Sequence, residues 1–403
     1  MAKAAPAQTM TRRTLLMSSL PLAARPRARI TGIELIPLRA SERTVWLIVR
    51  LSTDAGVQGL GEASDGFGFG NTTREQAARM ESELRKFFDL VHGASPLDVE
   101  RYRQKAWPLA ASGGLIAATA FSSIEQAMWD ISGQLLGVPA CDLLGGAVRG
   151  RLPAYANINR ATRPRTPAGF AAAARKAVAD GFQALKLAPF DGFPKPGSGA
   201  DAIRDAVDLG IACVAAVRDA VGSNIDVMVD CHSFFDVPLS ESVARRLEPF
   251  HLAWYEEPVA PERTADTLAI RKAIRQTMAG GEMLFGVAGF VPLCREKAVH
   301  VIMPDVKHCG GLLELTRIAA MAAAEKVEVA PHNPSGPAAT AATVQVCAGM
   351  ANFRLIEMQW GEAPWRGELL DPPESFDKGG IDVPGRPGFG VRLNERVARA
   401  HAA

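Results

Sequence analysis

No two of the six cysteines (Cys141, Cys213, Cys231, Cys294, Cys309, Cys347) form a C-x-x-C pair. Their scatter excludes a disulfide framework and a thiolate zinc site, so they read as reduced core thiols. No apolar run approaches the roughly 18–20 residues that a membrane span requires. Blocks of one charge are missing too: 45 basic residues stand against 43 acidic ones, a formal net charge of +2. That balance, with no long basic run, gives no footing for nucleic acid. What is there is a 403-residue chain with 48% hydrophobic and 22% charged residues. This is the composition of a globular protein, long enough for a barrel and a second domain.

Residues 1–28 stand apart as a leader or disordered tail. Thr11-Arg12-Arg13-Thr14-Leu15-Leu16 followed by MSSLPLAA resembles a twin-arginine export signal. The apolar stretch is broken by Ser18, Ser19 and Pro21 and lacks an A-x-A cleavage site. The cytoplasm is therefore the expected location, with the periplasm as the alternative.

Residues 29–150 read as an α+β domain. ITGIELIPLRA and TVWLIVRLST are β-rich runs around a turn at Ser41-Glu42-Arg43, and Asp54-Ala55-Gly56 makes the next turn of a meander. From Gly59 to Thr73 the text carries five glycines and two phenylalanines. It reads either as a loop covering a small-molecule site or as a plain surface connection. Two helical patterns follow, TREQAARMESELRKFFDLV and LIAATAFSSIEQAMWDISGQLLG. The second aligns Ala120, Ile124, Ala127, Met128 and Ile131 on one face and stops at Gly137 before Pro139.

From Leu152 strand and helix alternate. LPAYAN, FQALKLA, NIDVMVD, LAWYEE, TMAGG, VHVIMP, VEVAPH and FRLIEM are eight candidate strands, with alanine-rich amphipathic segments between several of them. Regular alternation at this spacing predicts a parallel (β/α) barrel over 151–358. The second strand is followed by a Pro/Gly-rich insertion, PFDGFPKPGSG. The tail, 359–403, has Trp360, Trp365 and several prolines but no further repeat, and is expected to fold back on the first domain.

Asp230, Glu256 and Glu282 fall 26 residues apart, each after a short apolar run. That places each at the C-terminal rim of a barrel strand, where barrel enzymes keep their chemistry. Three acids converging there repel one another unless a cation sits among them, and oxygen-only ligation favours Mg²⁺. The same strand-end logic selects Lys186, His232, Asp305, His332 and Glu357. Together these suit removal of a proton next to a carboxylate. A divalent ion and a lysine stabilise the charge that develops, and a neutral imidazole backed by a carboxylate, His332 with Asp305, acts as base. A metallohydrolase would show H-x-H early in the barrel, and LPAYANINR has none.

Several motifs in one order now identify a resemblance over residues 30–403: IEQAMWDISGQLLGVPACDLLGG, GFQALKL, MVDCH, WYEEPV, AGGE, MPDVKHCGG and PHNPSGP. The chain resembles the enolase superfamily, in particular its mandelate racemase and acid-sugar dehydratase group. The resemblance implies a modified TIM barrel with an N-terminal α+β capping domain completed by the C-terminal tail. It implies one Mg²⁺ held by Asp230, Glu256 and Glu282, and Asp305–His332 as base dyad. Lys186 would contact the substrate carboxylate and Glu357 its opposite side.

Departures from the group narrow the activity. Racemases of the group carry K-x-K on the second strand, where this chain has Lys186-Leu187-Ala188. Lactonizing enzymes and dipeptide epimerases place a lysine three residues after the sixth-strand aspartate; here that position is His308, with Lys307 before it. Asp230-Cys231-His232 matches the D-x-H of galactonate dehydratases, in which the histidine expels the β-hydroxyl. Dehydration of a polyhydroxy acid to a 2-keto-3-deoxy acid is the expected reaction, with Glu257 and His308 structural. Racemase, epimerase and sugar-lactone cycloisomerase stand as alternatives, as does an inactive barrel with a binding or structural role. The partners expected are a small-molecule carboxylate and further copies of the chain, with no nucleic acid and no membrane.

Overall fold

The computed structural model describes residues 27–68, 72–374 and 376–403. The segment with Arg12 and Arg13, and positions 69–71 of the glycine/phenylalanine run, lie outside the described residues. Among the described residues no helix is long and apolar enough to cross a membrane.

Strands β1 (Ile30–Arg39), β2 (Val45–Thr53) and β3 (Gln58–Glu62) form an antiparallel meander. Side chains of β2 alternate between two hydrophobic cores, as the period of two requires. Val45, Leu47, Val49 and Leu51 enter the core of the N-terminal domain, while Trp46 and Ile48 join the barrel's outer core. β2 is thus buried on both faces and joins the two parts. Helices α1 (Arg74–Phe88) and α3 (Gly114–Leu136) pack on the sheet, and α2 (Val99–Ser112) packs on α3. Thr73 and Gln76 close a capping box at the start of α1. The sequence pattern hides α2, whose interior carries Pro108.

The glycine/phenylalanine run is not loop throughout. Its first four residues, Gly59–Glu62, belong to β3, which lies directly on α3. A Cβ at Gly59 would come 2.3 Å from the Ala127 carbonyl, and one at Gly61 2.0 Å from that of Ser123. These glycines are there for close packing.

After the short helix α4 (Ala140–Leu143), eight parallel strands build the barrel: β4 (Arg151–Asn157), β5 (Ala184–Leu187), β6 (Asp226–Asp230), β7 (Trp254–Glu256), β8 (Met278–Gly280), β9 (Val301–Ile302), β10 (Glu328–Val329) and β11 (Ile356–Gln359). Between them run α5 (Pro167–Ala179), α6 (Ala200–Val221), α7 (Val237–Leu247), α8 (Thr264–Ala273), α9 (Gly286–Arg295), α10 (Gly311–Ala324) and α11 (Pro337–Ala348). β11 pairs in parallel with β4, and a bridge from Val329 to Phe353 closes the ring. Seven strand–helix units are followed by a final strand without its helix, the modified TIM barrel with a capping domain. The tail leans on both parts. Gly380–Asp382 pairs antiparallel with the base of β4, and Ala402 bridges back to Leu38 in β1.

Inside the ring, Tyr155, Ala184, Met228, Trp254, Ala279, Val301, Met303 and Ala330 form an apolar plug. The plug is the floor on which the next layer of side chains stands.

Candidate active site

Two residues beyond the plug on β4, β5, β6 and β7, the same inward register turns polar. Tyr155 is followed by Asn157, Ala184 by Lys186, Met228 by Asp230 and Trp254 by Glu256. The period of two therefore aims these four groups at one point above the floor. Glu282, Asp305 and His332 enter from just past β8, β9 and β10, and Glu357 from β11. Each of the eight sequence-selected residues except His232 is at most 2% exposed. The cavity above them has a volume of about 350 Å³ and is lined by Asn157, Lys186, Asp191, Asp230, His232 and His332, with Arg43 and Arg160 at its walls.

One oxygen from each of Asp230, Glu256 and Glu282 lies within 4.8 Å of the others. Burial and then repulsion from Asp230 hold the Glu256 carboxyl well above its ordinary pKa. Burial, then Glu257 and Asp230, do the same to Glu282. Asp230 goes the other way: burial opposes its ionisation, but His232 and Lys186 outweigh it. Glu282 Oε2 is buried and finds no hydrogen-bond donor among the described residues, although His332 Nε2 lies 3.3 Å away. Three buried carboxylates with repulsion to relieve and an oxygen without a donor fit a hard divalent cation.

Lys186 stands beside the triad. Its Nζ is 2.7 Å from Glu256 Oε1, 3.1 Å from Glu357 Oε1 and 3.5 Å from Asp230 Oδ2. Burial disfavours its charge, but Glu256 and Glu357 raise its pKa well above the ordinary value. Glu357 is engaged on both oxygens, accepting from Asn157 Nδ2 at 2.7 Å and from the Asn333 backbone at 2.8 Å. In this arrangement Glu357 first of all holds Lys186 and the loop after β10.

His332 and Asp305 meet as the sequence led us to expect: His332 Nδ1 donates to Asp305 Oδ2 at 2.8 Å. That bond leaves Nε2 facing the triad. His232 lies on the other flank, its φ of +45° turning the chain sharply after β6. Its Nδ1 donates to Asp191 Oδ1 at 2.6 Å, and its Nε2 is 3.2 Å from Asp230 Oδ2. Burial opposes charge on this imidazole, but Asp230 and Asp191 hold its pKa well above the ordinary range.

Asp191 is a residue that sequence reasoning missed. It sits in the insertion after β5 and also accepts from Asn159 Nδ2 at 2.9 Å, with Arg165 Nη2 at 3.3 Å. Two positions that set the activity apart have clear environments. Ala188 is buried and gives its carbonyl to Arg165, so no second base stands there. His308 is buried against Thr119 Oγ1 at 2.9 Å, and burial lowers its pKa to about 4. Its ring lies between α3 and Asp305, with Nε2 3.9 Å from Asp305 Oδ2. Glu257 accepts from Gly281 N and Ser233 Oγ, which ties together the loops after β7, β8 and β6.

Residues 31–145 match the mandelate racemase/muconate lactonizing enzyme N-terminal domain, and residues 169–397 match the enolase C-terminal domain-like family. The chain belongs to the mandelate racemase/muconate lactonizing enzyme family of the enolase superfamily. Within this family it is similar to the D-galactonate dehydratase of Variovorax paradoxus, with 32% identity over 370 residues, 88% of this chain and 91% of that protein. It is 30% identical over 361 residues to the D-xylonate dehydratase of Haloferax volcanii, covering 88% of this chain and 85% of the relative. The crystal structure of a mandelate racemase/muconate lactonizing enzyme from Jannaschia sp. superposes with a TM-score of 0.82 at 27% identity, over 93% of this chain and 98% of the other.

Proposed function

We propose that this family member is a Mg²⁺-dependent dehydratase of a sugar acid, converting a polyhydroxy acid to a 2-keto-3-deoxy acid. The observation that carries the reading is the pair of histidines flanking the carboxylate triad, each with its own aspartate. The named relatives, dehydratases of galactonate and xylonate, support an aldonic acid as the substrate class.

Asp230, Glu256 and Glu282 would hold the ion, which when bound supplies positive charge to the substrate carboxylate as its α-carbon loses a proton. His332 Nε2 takes that proton, while Asp305 fixes the tautomer and stabilises the imidazolium. Lys186 neutralises the substrate carboxylate from the Glu357 side. His232, kept protonated by Asp191 and Asp230, gives its proton to the β-hydroxyl. The C–O bond then breaks, water leaves, and the resulting enol tautomerises to the 2-keto acid. Base and acid are different residues on different strands, so each keeps one task.

A panel of aldonic and other sugar acids, incubated with enzyme and Mg²⁺ and assayed for 2-keto acid, tests this. The expected result is turnover of one or a few aldonates. Exchange of the α-hydrogen in D₂O with no 2-keto acid from any substrate would replace the reading with racemisation or epimerisation.

A further inference from the structure

The mechanism uses Asp305 and His332 but leaves a buried cation beside them unexplained. Lys307 is 0% exposed. A lysine there costs several kcal/mol unless its charge and its three N–H donors are met. All three are met. Its Nζ is 3.0 Å from Asp305 Oδ2 and 3.5 Å from Asp65 Oδ2, and it donates to Ser335 Oγ. Its backbone N–H donates to Asp305 Oδ1 at 2.7 Å. Asp305 Oδ2 is the oxygen that also receives His332 Nδ1–H. Both oxygens of the dyad's carboxylate are therefore gripped by Lys307.

The other end of the grip lies in the capping domain. Asp65 follows β3, is buried, and holds a φ of +61°, a left-handed conformation that costs an ordinary residue free energy. Its second oxygen faces Arg160 Nη2 at 3.7 Å. Three residues earlier, Glu62 accepts from the Gly336 and Ala339 backbone N–H groups at 2.7 and 3.0 Å, at the first turn of α11. A Cβ at Gly336 would come 2.8 Å from Glu62 Oε2. The end of β3 thus touches both halves of the dyad's support: Asp305 through Lys307, and the His332–Pro337 loop through Glu62.

We propose that Lys307 is a positioning residue that anchors the base dyad to the capping domain. Asp65 and Ser335 hold its ammonium, and the ammonium in turn fixes the rotamer in which Asp305 orients His332. The inference rests on the proposed base role of His332 and on no particular fate of the β-hydroxyl.

The test is the rate of α-hydrogen exchange and of 2-keto acid formation in wild type, Lys307→Met and Asp65→Asn, with ordinary and α-deuterated substrate. Lys307→Met is expected to lower kcat about 10- to 100-fold while KM changes little, and Asp65→Asn about tenfold. In both variants the α-deuterium isotope effect on kcat rises, because proton abstraction becomes slower relative to product release. A merely structural role would lower the active fraction and leave KM and the isotope effect alone. Lys307→Met with wild-type kcat, or with a loss matched by its unfolded fraction and an unchanged isotope effect, overturns the proposal. Should Lys307→Met not fold, wild-type kcat and isotope effect in Asp65→Asn overturn it equally. Failure of the wild type to exchange or dehydrate any sugar acid would instead sink the dehydratase reading itself.

Discussion

His232 Nδ1 donates to Asp191 Oδ1 across 2.6 Å, joining the turn after β6 to the insertion after β5. The bond directs Nε2 into the cavity beside Asp230, where the proposed reaction puts the departing hydroxyl. Removing this proposed acid should separate the two half-reactions. His232→Asn is expected to lower 2-keto acid formation by about 10²- to 10⁴-fold, the usual contribution of a general acid. Exchange of the α-hydrogen in D₂O should persist, because His332 and Asp305 are untouched. Asp191→Asn should give a milder version, about 10- to 100-fold. Proton NMR in D₂O follows both signals at once, and loss of exchange in step with elimination would remove His232 from the acid role.

Replacing the proposed base should have the opposite signature. His332→Asn and Lys186→Ala are each expected to abolish exchange and elimination together, by about 10²-fold or more. Near-wild-type Tm would show that the fold survives. Wild-type kcat in His332→Asn would refute the base assignment.

The difference between these groups and their supports explains what the sequence revealed. Asp230 and Glu256 end apolar strands, and Lys186 lies within one, so the period of two points each inward without knowledge of the fold. Asp305 and His332 follow the same rule at β9 and β10. Asp191 escaped because the Pro/Gly insertion has no period, and its partner is 41 residues away in the chain. Lys307 escaped for another reason. Nothing in MPDVKHCGG says that its ammonium is sealed inside, because the seal comes from Asp65 in another domain. Gly59 and Gly61 look like loop residues until α3 is laid against them. Local patterns were legible; contacts that depend on the docking of two domains were not.

Metal removal should expose the repulsion within the triad. Without a cation the Glu256 and Glu282 carboxyls have pKa values held well above the ordinary one by burial and by neighbouring carboxylates. A raised carboxyl gives stability that is fully present below its unfolded pKa, about 4.5, and that is lost as pH rises through the folded value. The metal-free protein is therefore expected to lose Tm as pH climbs from about 4.5 toward neutrality. Saturating Mg²⁺ should reverse this, by about 2.7 kcal/mol when free Mg²⁺ is 100 times its Kd. Asp230→Asn should abolish the Mg²⁺-dependent rise. Thermal scans with EDTA and with Mg²⁺ across that window check both points, and a Mg²⁺ effect unchanged in Asp230→Asn would move the ion elsewhere.

A second titration involves none of the triad carboxylates and should be separable from theirs. Glu125 on α3 is buried and accepts from the Leu312 and Leu313 backbone N–H groups at 2.8 and 3.0 Å, so it binds the first turn of α10. Gly311, at φ +84°, makes room: a Cβ there would come 2.0 Å from Glu125 Oε2. Burial nevertheless pushes the Glu125 carboxyl up to about 7, against its two backbone donors and Trp129. Its folded pKa is above the unfolded one, so its contribution is complete below about pH 4.5 and is lost as pH rises through about 7. The shift corresponds to about 3 kcal/mol in favour of the protonated folded state. Glu125→Gln keeps one carbonyl acceptor and cannot ionise, so its stability should fall less between pH 5 and about 8 than that of the wild type. Urea unfolding at constant saturating Mg²⁺ measures this with the triad held neutralised. Equal slopes in the two proteins would mean that Glu125 is already ionised in the folded state, held by the α10 amides strongly enough to offset its burial.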